Sequence, residues 1–381
     1  MVKAVRIFFL STLLVLTVDC RNGRTVSAPE TVEGLIELND SISLGLAHLT
    51  TERITLPAPE GYSNNVLLTC FKGRYYCMWQ HSGRDEDSPD TQVLFSTSTD
   101  THSWTKPEIL SGADAHTFSS PGGWIQRGDS LSAVINRIRA DGRKGGEAWY
   151  VTTDGERGWG VPGRILMADG SPLDGIFEQD PLTLPSGRTI GAAHFGDELD
   201  VCPLYTDAPS GLSGWKKSAF PKGEGKPLEP SQYLSKDGSI VMLFRDQMSS
   251  FRKLFSVSRD DGMSWSASAL TGIPDSRSKQ CAGNLPDGRA FMVWNPSADK
   301  SRRHLAIAVS EDGVRFNRAW LIAGPSELPP QRKEGKHKTL GYNYPKASVI
   351  GGDLWISLSV NKEDVTLVRI SLDDLADCVF R

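Results

Sequence analysis

The sequence predicts an all-β chain folded as a six-bladed β-propeller, and three observations carry that reading. An aromatic residue closes a polar turn at nearly constant intervals along the chain. A strand pair with a Gly-containing turn and alternating apolar residues stands upstream of each such turn. The composition combines a hydrophobic fraction of 39% with 37 glycines and 22 prolines, which suits many short strands and does not suit long helices.

The clearest turn is Ser258–Trp265, of the form Ser-x-Asp-x-Gly-x-Ser-Trp. Looser copies run Ser98–Trp104, Thr152–Trp159 and Ser310–Phe316, with a degenerate one at Thr206–Trp215. The closing aromatics, Trp104, Trp159, Trp215, Trp265 and Phe316, are separated by 55, 56, 50 and 51 residues. Ser/Thr and Asp side chains satisfy a turn backbone, Gly takes the position with φ > 0, and the aromatic packs beneath. The strand pairs upstream include Leu184–Phe195, Leu234–Arg245, Leu285–Asn295 and Val349–Ser359. Each repeat thus supplies about four strands, the content of one propeller blade. The last pair, Tyr344–Asn361, lacks an aromatic turn, so the final blade is expected to be completed by an early strand, Glu52–Pro57, which joins the two ends of the ring.

The amino terminus differs from the rest. Lys3 and Arg6 precede an apolar run from Ile7 to Val18, the length of a signal h-region and too short to span a bilayer. Residues 1–27 are therefore expected to be a signal peptide and 28–381 a single exported domain with no transmembrane segment, periplasmic, surface-bound or secreted. Cys20 is a weak candidate for a lipid anchor, because Asp19 is a poor lipobox residue. Cys70 and Cys77 flank a turn expected at Gly73–Arg74, which permits a disulfide between them. With no CxxC pair and no HExxH spacing, neither a metal nor a cofactor is expected. A net charge of −4 gives no basis for nucleic-acid binding.

The polar turns resemble the Asp boxes of sialidases, and the resemblance covers essentially the whole mature chain. It implies a propeller of sialidase type, with the boxes, Asp260 and Trp265 among them, structural and on the outer rim. It also implies a set of site residues where the inner strands converge. Glu229 opens one inner strand and Arg245 closes the next strand, as a sialidase Glu and substrate-binding Arg do. Arg302, or Arg303 if the register slips by one, resembles a second substrate Arg. Tyr344 stands where sialidases have their nucleophilic Tyr, with Tyr342 the alternative. In the acidic loop Asp85, Glu86, Asp87 and Asp90, Asp87 occupies the acid/base place; a solvated loop or a cation site are the other readings of these carboxylates.

One departure from the family is plain. Sialidases open the first inner strand with an Arg, where this chain has Asn64 and Asn65; the carboxylate that supports that Arg is replaced by Asn361 and Lys362. The paired loss implies a changed substrate, or a grip in which Lys362 supplies the missing charge and Asn64 contacts the sugar. The function so implied is exo-acting, retaining hydrolysis of a glycan or oligosaccharide, releasing a terminal acidic sugar, with Tyr344 and Glu229 as nucleophile and base and Asp87 as acid. Its rivals are a propeller enzyme on another sugar, including a polysaccharide lyase with His81 or His194 as base, a non-catalytic carbohydrate-binding propeller, and a scaffold for protein assembly.

Overall fold

The computed structural model describes residues 33–34 and 46–375; the expected signal segment, Cys20 and Cys378 lie outside them. Six antiparallel sheets succeed one another along the chain. The first blade is Tyr62–Phe71, Arg74–Ser82, Gln92–Ser98 and Glu108–Ser111, and the second Thr117–Arg127, Ser130–Arg139, Gly146–Thr153 and Gly163–Arg164. In the third, the inner strand is interrupted, Ile176–Phe177 and Leu182–Thr183 both pairing with Thr189–Phe195. The fourth blade runs from Pro227–Leu234 to Ala269–Pro274 and the fifth from Cys281–Asn284 to Arg318–Ala323. Tyr342–Ile350, Asp353–Val360 and Asp364–Ser371 form the sixth, and Glu52–Thr55 completes it by pairing with Asp364–Ser371. The ring therefore closes by the early strand that the sequence suggested. Helix among the described residues is limited to two single turns, Pro325–Glu327 and Asp373–Leu375.

A propeller blade buries both faces, and its core lies in the seams between blades. Six apolar clusters fill those seams. The aromatic of each turn packs against the preceding blade. Trp265 joins Ile190 and Ala192 of the third blade, and Phe316 meets the Tyr233 ring of the fourth edge-on at 5.8 Å. Trp159 meets Tyr76 and Phe95 of the first blade, and Trp104 packs with Trp355 of the sixth. The polar half of the motif holds the turn in place. In the fourth blade, Ser258 Oγ donates to Asp260 Oδ1 (2.9 Å) and accepts from Gly262 N–H (2.9 Å), while Asp260 Oδ1 accepts from Ser264 N–H (2.8 Å). The Trp265 indole N–H donates to Gly262 O at 3.2 Å, so the ring is buried without an orphaned donor. The sixth blade has no aromatic turn; fully buried Leu375 takes the equivalent seat in the seam with the fifth, and Arg289 Nη1 donates to its carbonyl.

The structure corrects the expectation at Cys70 and Cys77. The turn is Lys72-Gly73, with φ of 49° and 73°, so Phe71 faces Arg74, Cys70 faces Tyr75 and Cys77 faces Leu68. Both central residues lie in the left-handed region that a two-residue hairpin of right-handed twist demands. The two cysteines sit diagonally and are free, as are Cys202 and Cys281. Alkylation in denaturant without reductant, read by mass spectrometry, is expected to label all four of these positions. Trp265→Ala and Leu375→Ala should each lower stability in urea melts by about 2–5 kcal/mol through the cavity they leave. A normal melting curve for Trp265→Ala would show that the turn aromatics do not hold the seams.

Candidate functional site

The inner strands are irregular at one level of the axis, and that irregularity builds the site. In the first, fourth and sixth blades a register shift occurs between Asn64/Leu67, Leu228/Ser231 and Asn343/Lys346. At each shift one residue adopts left-handed backbone: Asn65 (φ 52°), Glu229 (φ 51°) and Tyr344 (φ 53°). A non-glycine residue held there costs about 1–2 kcal/mol, and such strain concentrates where side chains must be aimed at a ligand. The second blade shifts between Pro121 and Gly123, with φ of 147° at Gly123. A side chain on Gly123 would meet Gln179 O and Asp180 Oδ1 at about 3 Å, where Trp124 N–H donates to Asp180 at 2.7 Å. In the third blade the break between Ile176–Phe177 and Leu182–Thr183 holds Glu178 and Asp180.

These bulges bring Glu229, Tyr344, Arg245 and Arg302 into one cluster. Glu229 Oε2 lies 2.9 Å from Arg245 Nη1, an ion-pair distance without hydrogen-bond alignment. Arg302 lies 5.2 Å from the centre of the Tyr344 ring, donates to Asn343 Oδ1 (2.9 Å) and reaches Arg277 O (3.1 Å). Lys279 and Lys362 also face that ring, at 4.8 and 5.1 Å. Burial, then the charges of Glu86 and Glu229, push the Tyr344 phenol well above its ordinary pKa, opposed by Arg302 and Arg245. It is a phenol at neutral pH, not a phenolate.

Behind Glu229 lies a satisfied polar network. Its N–H donates to His194 Nε2 (3.1 Å), and its carbonyl accepts from Gln280 Nε2 (3.0 Å). Because Nε2 accepts, the His194 proton sits on Nδ1, 3.4 Å from Glu178 Oε1. Fully buried Lys253 donates to Asp275 (2.8 Å), Ser278 O (3.0 Å) and Gln280 Oε1 (2.9 Å). The bulge is thereby fixed from both sides.

The acidic loop of the first blade closes one wall. Asp87, at φ 61°, is solvent-accessible in a cleft of about 780 Å³ that Glu86, Glu178, His194 and His337 also line. The enclosing walls, then Glu86, raise the Asp87 carboxyl pKa, against the pull of His337 and Lys362. Glu86 is opposed by burial but held below its usual range by Lys362, whose Nζ donates to it at 2.7 Å.

Other sequence candidates stand apart. The Tyr342 hydroxyl donates to Gly324 O (3.1 Å) within the seam of blades five and six, so Tyr344 is the tyrosine of the funnel. Asn64 is fully buried and donates to the Tyr62 hydroxyl at 3.1 Å; its neighbour Asn65 reaches the cluster, accepting from Lys279 Nζ at 3.1 Å. Arg303 is half-buried, and of the two adjacent arginines Arg302 is the one against Tyr344. His81 Nδ1 lies 3.3 Å from Ser63 Oγ. Lys362 stands beside Tyr344 as the missing-charge idea requires, but its charge is paired with Glu86.

Sequence reasoning missed Glu178, Lys279, Lys346 and Arg277. Lys279 pairs with Glu178, and Lys346 donates to the Glu178 carbonyl. Burial, then Lys279, lowers the Lys346 pKa to about 7. Arg277, in left-handed backbone at φ 54°, keeps a buried Nε without a partner among the described residues. A signal existed for Glu178 alone: it follows the apolar pair Ile176-Phe177 at an inner-strand start, as Glu229 follows Leu228.

Residues 73–356 match the family described as a BNR repeat-like domain. No curated protein matches the sequence. Among solved structures the chain is similar to a sialidase at 21% identity and TM-score 0.62, covering 86% of this chain and 33% of that one. It is similar to Trypanosoma rangeli sialidase in complex with sialic acid at 14% identity and TM-score 0.60, covering 86% and 60%. A Dyadobacter fermentans protein of unknown function matches at 17% identity and TM-score 0.63, covering 84% and 98%. The chain thus spans a third of the first of these proteins and three-fifths of the second, and at such identities the likeness is one of fold.

Glu178 offers a direct test of the electrostatics. Burial raises its pKa, but Lys279 and His194 outweigh it and hold the carboxyl below its ordinary 4.5. A depressed carboxyl contributes stability that is complete above the unfolded value and lost as pH falls below it. Glu178→Gln should lower stability at pH 7 by about 3–5 kcal/mol by stranding Lys279, and should flatten the acid limb of a stability–pH curve. An unchanged acid limb would remove Glu178 from the network.

Proposed function

This chain belongs to the BNR repeat-like domain family, and on that premise we propose that it is an exo-acting glycoside hydrolase of sialidase type, releasing a terminal acidic sugar. The observation that carries the reading is the pairing of Tyr344 and Glu229 as the left-handed residues of two inner-strand bulges, with Arg302 against one and Arg245 against the other. The Tyr344 hydroxyl is the nucleophile. Its raised pKa means that it needs a base at the moment of attack, and Glu229 takes the proton as the phenolic oxygen bonds to the anomeric carbon. The bond from that carbon to the leaving oxygen breaks, and Asp87 donates a proton to it. Water then attacks the anomeric carbon and gives a proton to the carboxylate that Asp87 has become, while the bond to the Tyr344 oxygen breaks and Glu229 returns its proton to the phenolate.

A neutral nucleophile suits an anionic sugar, which a carboxylate would repel. The sugar carboxylate is held by Arg245 and Arg302, whose buried Nε atoms lack partners among the described residues. The first-blade grip is replaced by Asn65 and the Lys362–Glu86 pair. A lyase reading needs a free base, and both ring nitrogens of His194 are engaged by protein groups, while His81 Nδ1 lies against Ser63 Oγ.

Released sugar from sialosides, uronides and neutral glycosides tests the substrate class, with acidic glycosides expected to be cleaved. Tyr344→Phe removes one oxygen, so the fold should persist while turnover falls by at least about 100-fold. Asp87→Ala should lose about 10²–10⁴ in rate on natural glycosides and far less on aryl glycosides whose leaving group needs no proton. Because its pKa is raised, the acid stays protonated to higher pH than a free carboxyl, and activity on natural glycosides should fall as pH rises through that value. Equal losses on both substrate types would remove Asp87 as the acid.

A further inference from the structure

The cleft beside Asp87 is lined by both carboxylates and cations. Two of its carboxylates are compensated, Glu86 by Lys362 and Glu178 by Lys279 and His194, and through Glu178 and Glu86 it adjoins the Tyr344 cluster. Asp85 accepts the backbone N–H groups of Lys336 and His337, which ties the segment before the sixth blade to the loop of the first. Its lining also includes Arg84, Arg139, Arg143, Lys144, Lys336 and His337, which make up its cationic side. Arg139 is paired with Asp197 at 3.3 Å and Arg143 with Asp141 at 2.7 Å. The charges of Arg84, Lys144 and Lys336 have no carboxylate partner among the described residues, although Lys333 and Lys338 nearby are paired with Glu60 and Glu363.

Three loops from different parts of the chain, the first- and second-blade loops and the segment around Lys336, therefore turn unpaired cations onto one concave surface. They do so in a protein whose net charge is −4. Phe118, Ile138, Ile176 and Leu199 supply apolar surface in the same cleft. Its volume of about 780 Å³ is that of a pocket enclosing a ligand larger than one sugar ring. Apolar faces with cations at the rim match a sugar chain that carries anionic groups.

We propose that the cationic side of this cleft is a leaving-group site for an anionic oligosaccharide, in which the sugars beyond the cleaved bond carry carboxylate or sulfate groups. The assignment of the bound chain as leaving group rests on the hydrolase reading above; the anion-binding rim does not. The free cations draw the chain in, and the apolar wall takes sugar faces while the terminal unit reaches Tyr344.

The test is calorimetric titration of the purified protein with three hexasaccharides: one sulfated on a neutral backbone, one of uronic acid units without sulfate, and one neutral. A DNA oligonucleotide of matching charge is the fourth arm. Either anionic hexasaccharide should bind, the stronger one identifying the anionic group, and the neutral one should not. Lys144→Glu/Lys336→Glu should weaken that binding about tenfold or more, as should Arg84→Ala/Lys144→Ala in an independent variant, with melting temperatures confirming the fold. Equal binding of neutral and anionic sugars, equal binding of DNA, or unchanged affinity in both variants would overturn the proposal. Binding is read without turnover, so the two readings fail separately. A protein that cleaves no glycoside yet binds anionic sugars through this rim refutes the hydrolase reading alone. One that cleaves acidic glycosides with a rim indifferent to charge refutes the cleft proposal alone.

Discussion

The structure depends on the packing of each blade against the one before it. A four-stranded blade cannot bury either face alone, and among the described residues six apolar seams supply its core. The aromatic turns serve those seams: a Ser–Asp pair satisfies the turn backbone while the ring fills the space under the neighbour. The last blade shows what the seat requires, since buried Leu375 occupies it without an aromatic ring. Once the seams are filled and Glu52–Thr55 closes the ring, six inner strands must converge on one axis.

Convergence creates the site and also its difficulty. Regular inner strands would point alternate side chains into the seams, leaving few to meet at the axis. The bulges at Asn65, Glu229 and Tyr344 and the break at Glu178 redirect side chains into the funnel at a common level. Charged groups gathered there are out of reach of much water, and each must be compensated. Glu178 with Lys279, Glu229 with Arg245 and Glu86 with Lys362 do this pairwise, and the Tyr344 ring lies among the cations. Arg302 and Arg277 add positive charge with no carboxylate partner among the described residues, so the cluster as a whole is cationic.

The fold is shared with solved sialidases at identities of 14–21%, a level at which the likeness is one of fold. Within that fold Asn65 accepts from Lys279, and Lys362 donates to Glu86. Tyr344 and Glu229 sit on inner-strand bulges, a placement that the propeller supplies, while a shared fold by itself assigns no role to them.

Local signals determined the fold from the sequence alone. Trp104, Trp159, Trp215, Trp265 and Phe316 announce themselves because each is embedded in a short turn whose chemistry is complete within seven to ten residues. The closing strand was legible too, since an early apolar strand and an incomplete last blade leave one solution. Glu229, Arg245, Arg302 and Tyr344 stand out in the sequence through a resemblance to the sialidase pattern, not through local chemistry, and the structure brings them together. Only tertiary structure decided between Tyr342 and Tyr344, and between Asn64 and Asn65, because a one-residue bulge exchanges the face on which a side chain emerges. It likewise decided the turn at Lys72-Gly73 and hence the free thiols of Cys70 and Cys77. Glu178 and Lys279 lie 101 positions apart and meet only because two blades face one axis. No local pattern in the sequence encodes a contact between groups so distant along the chain.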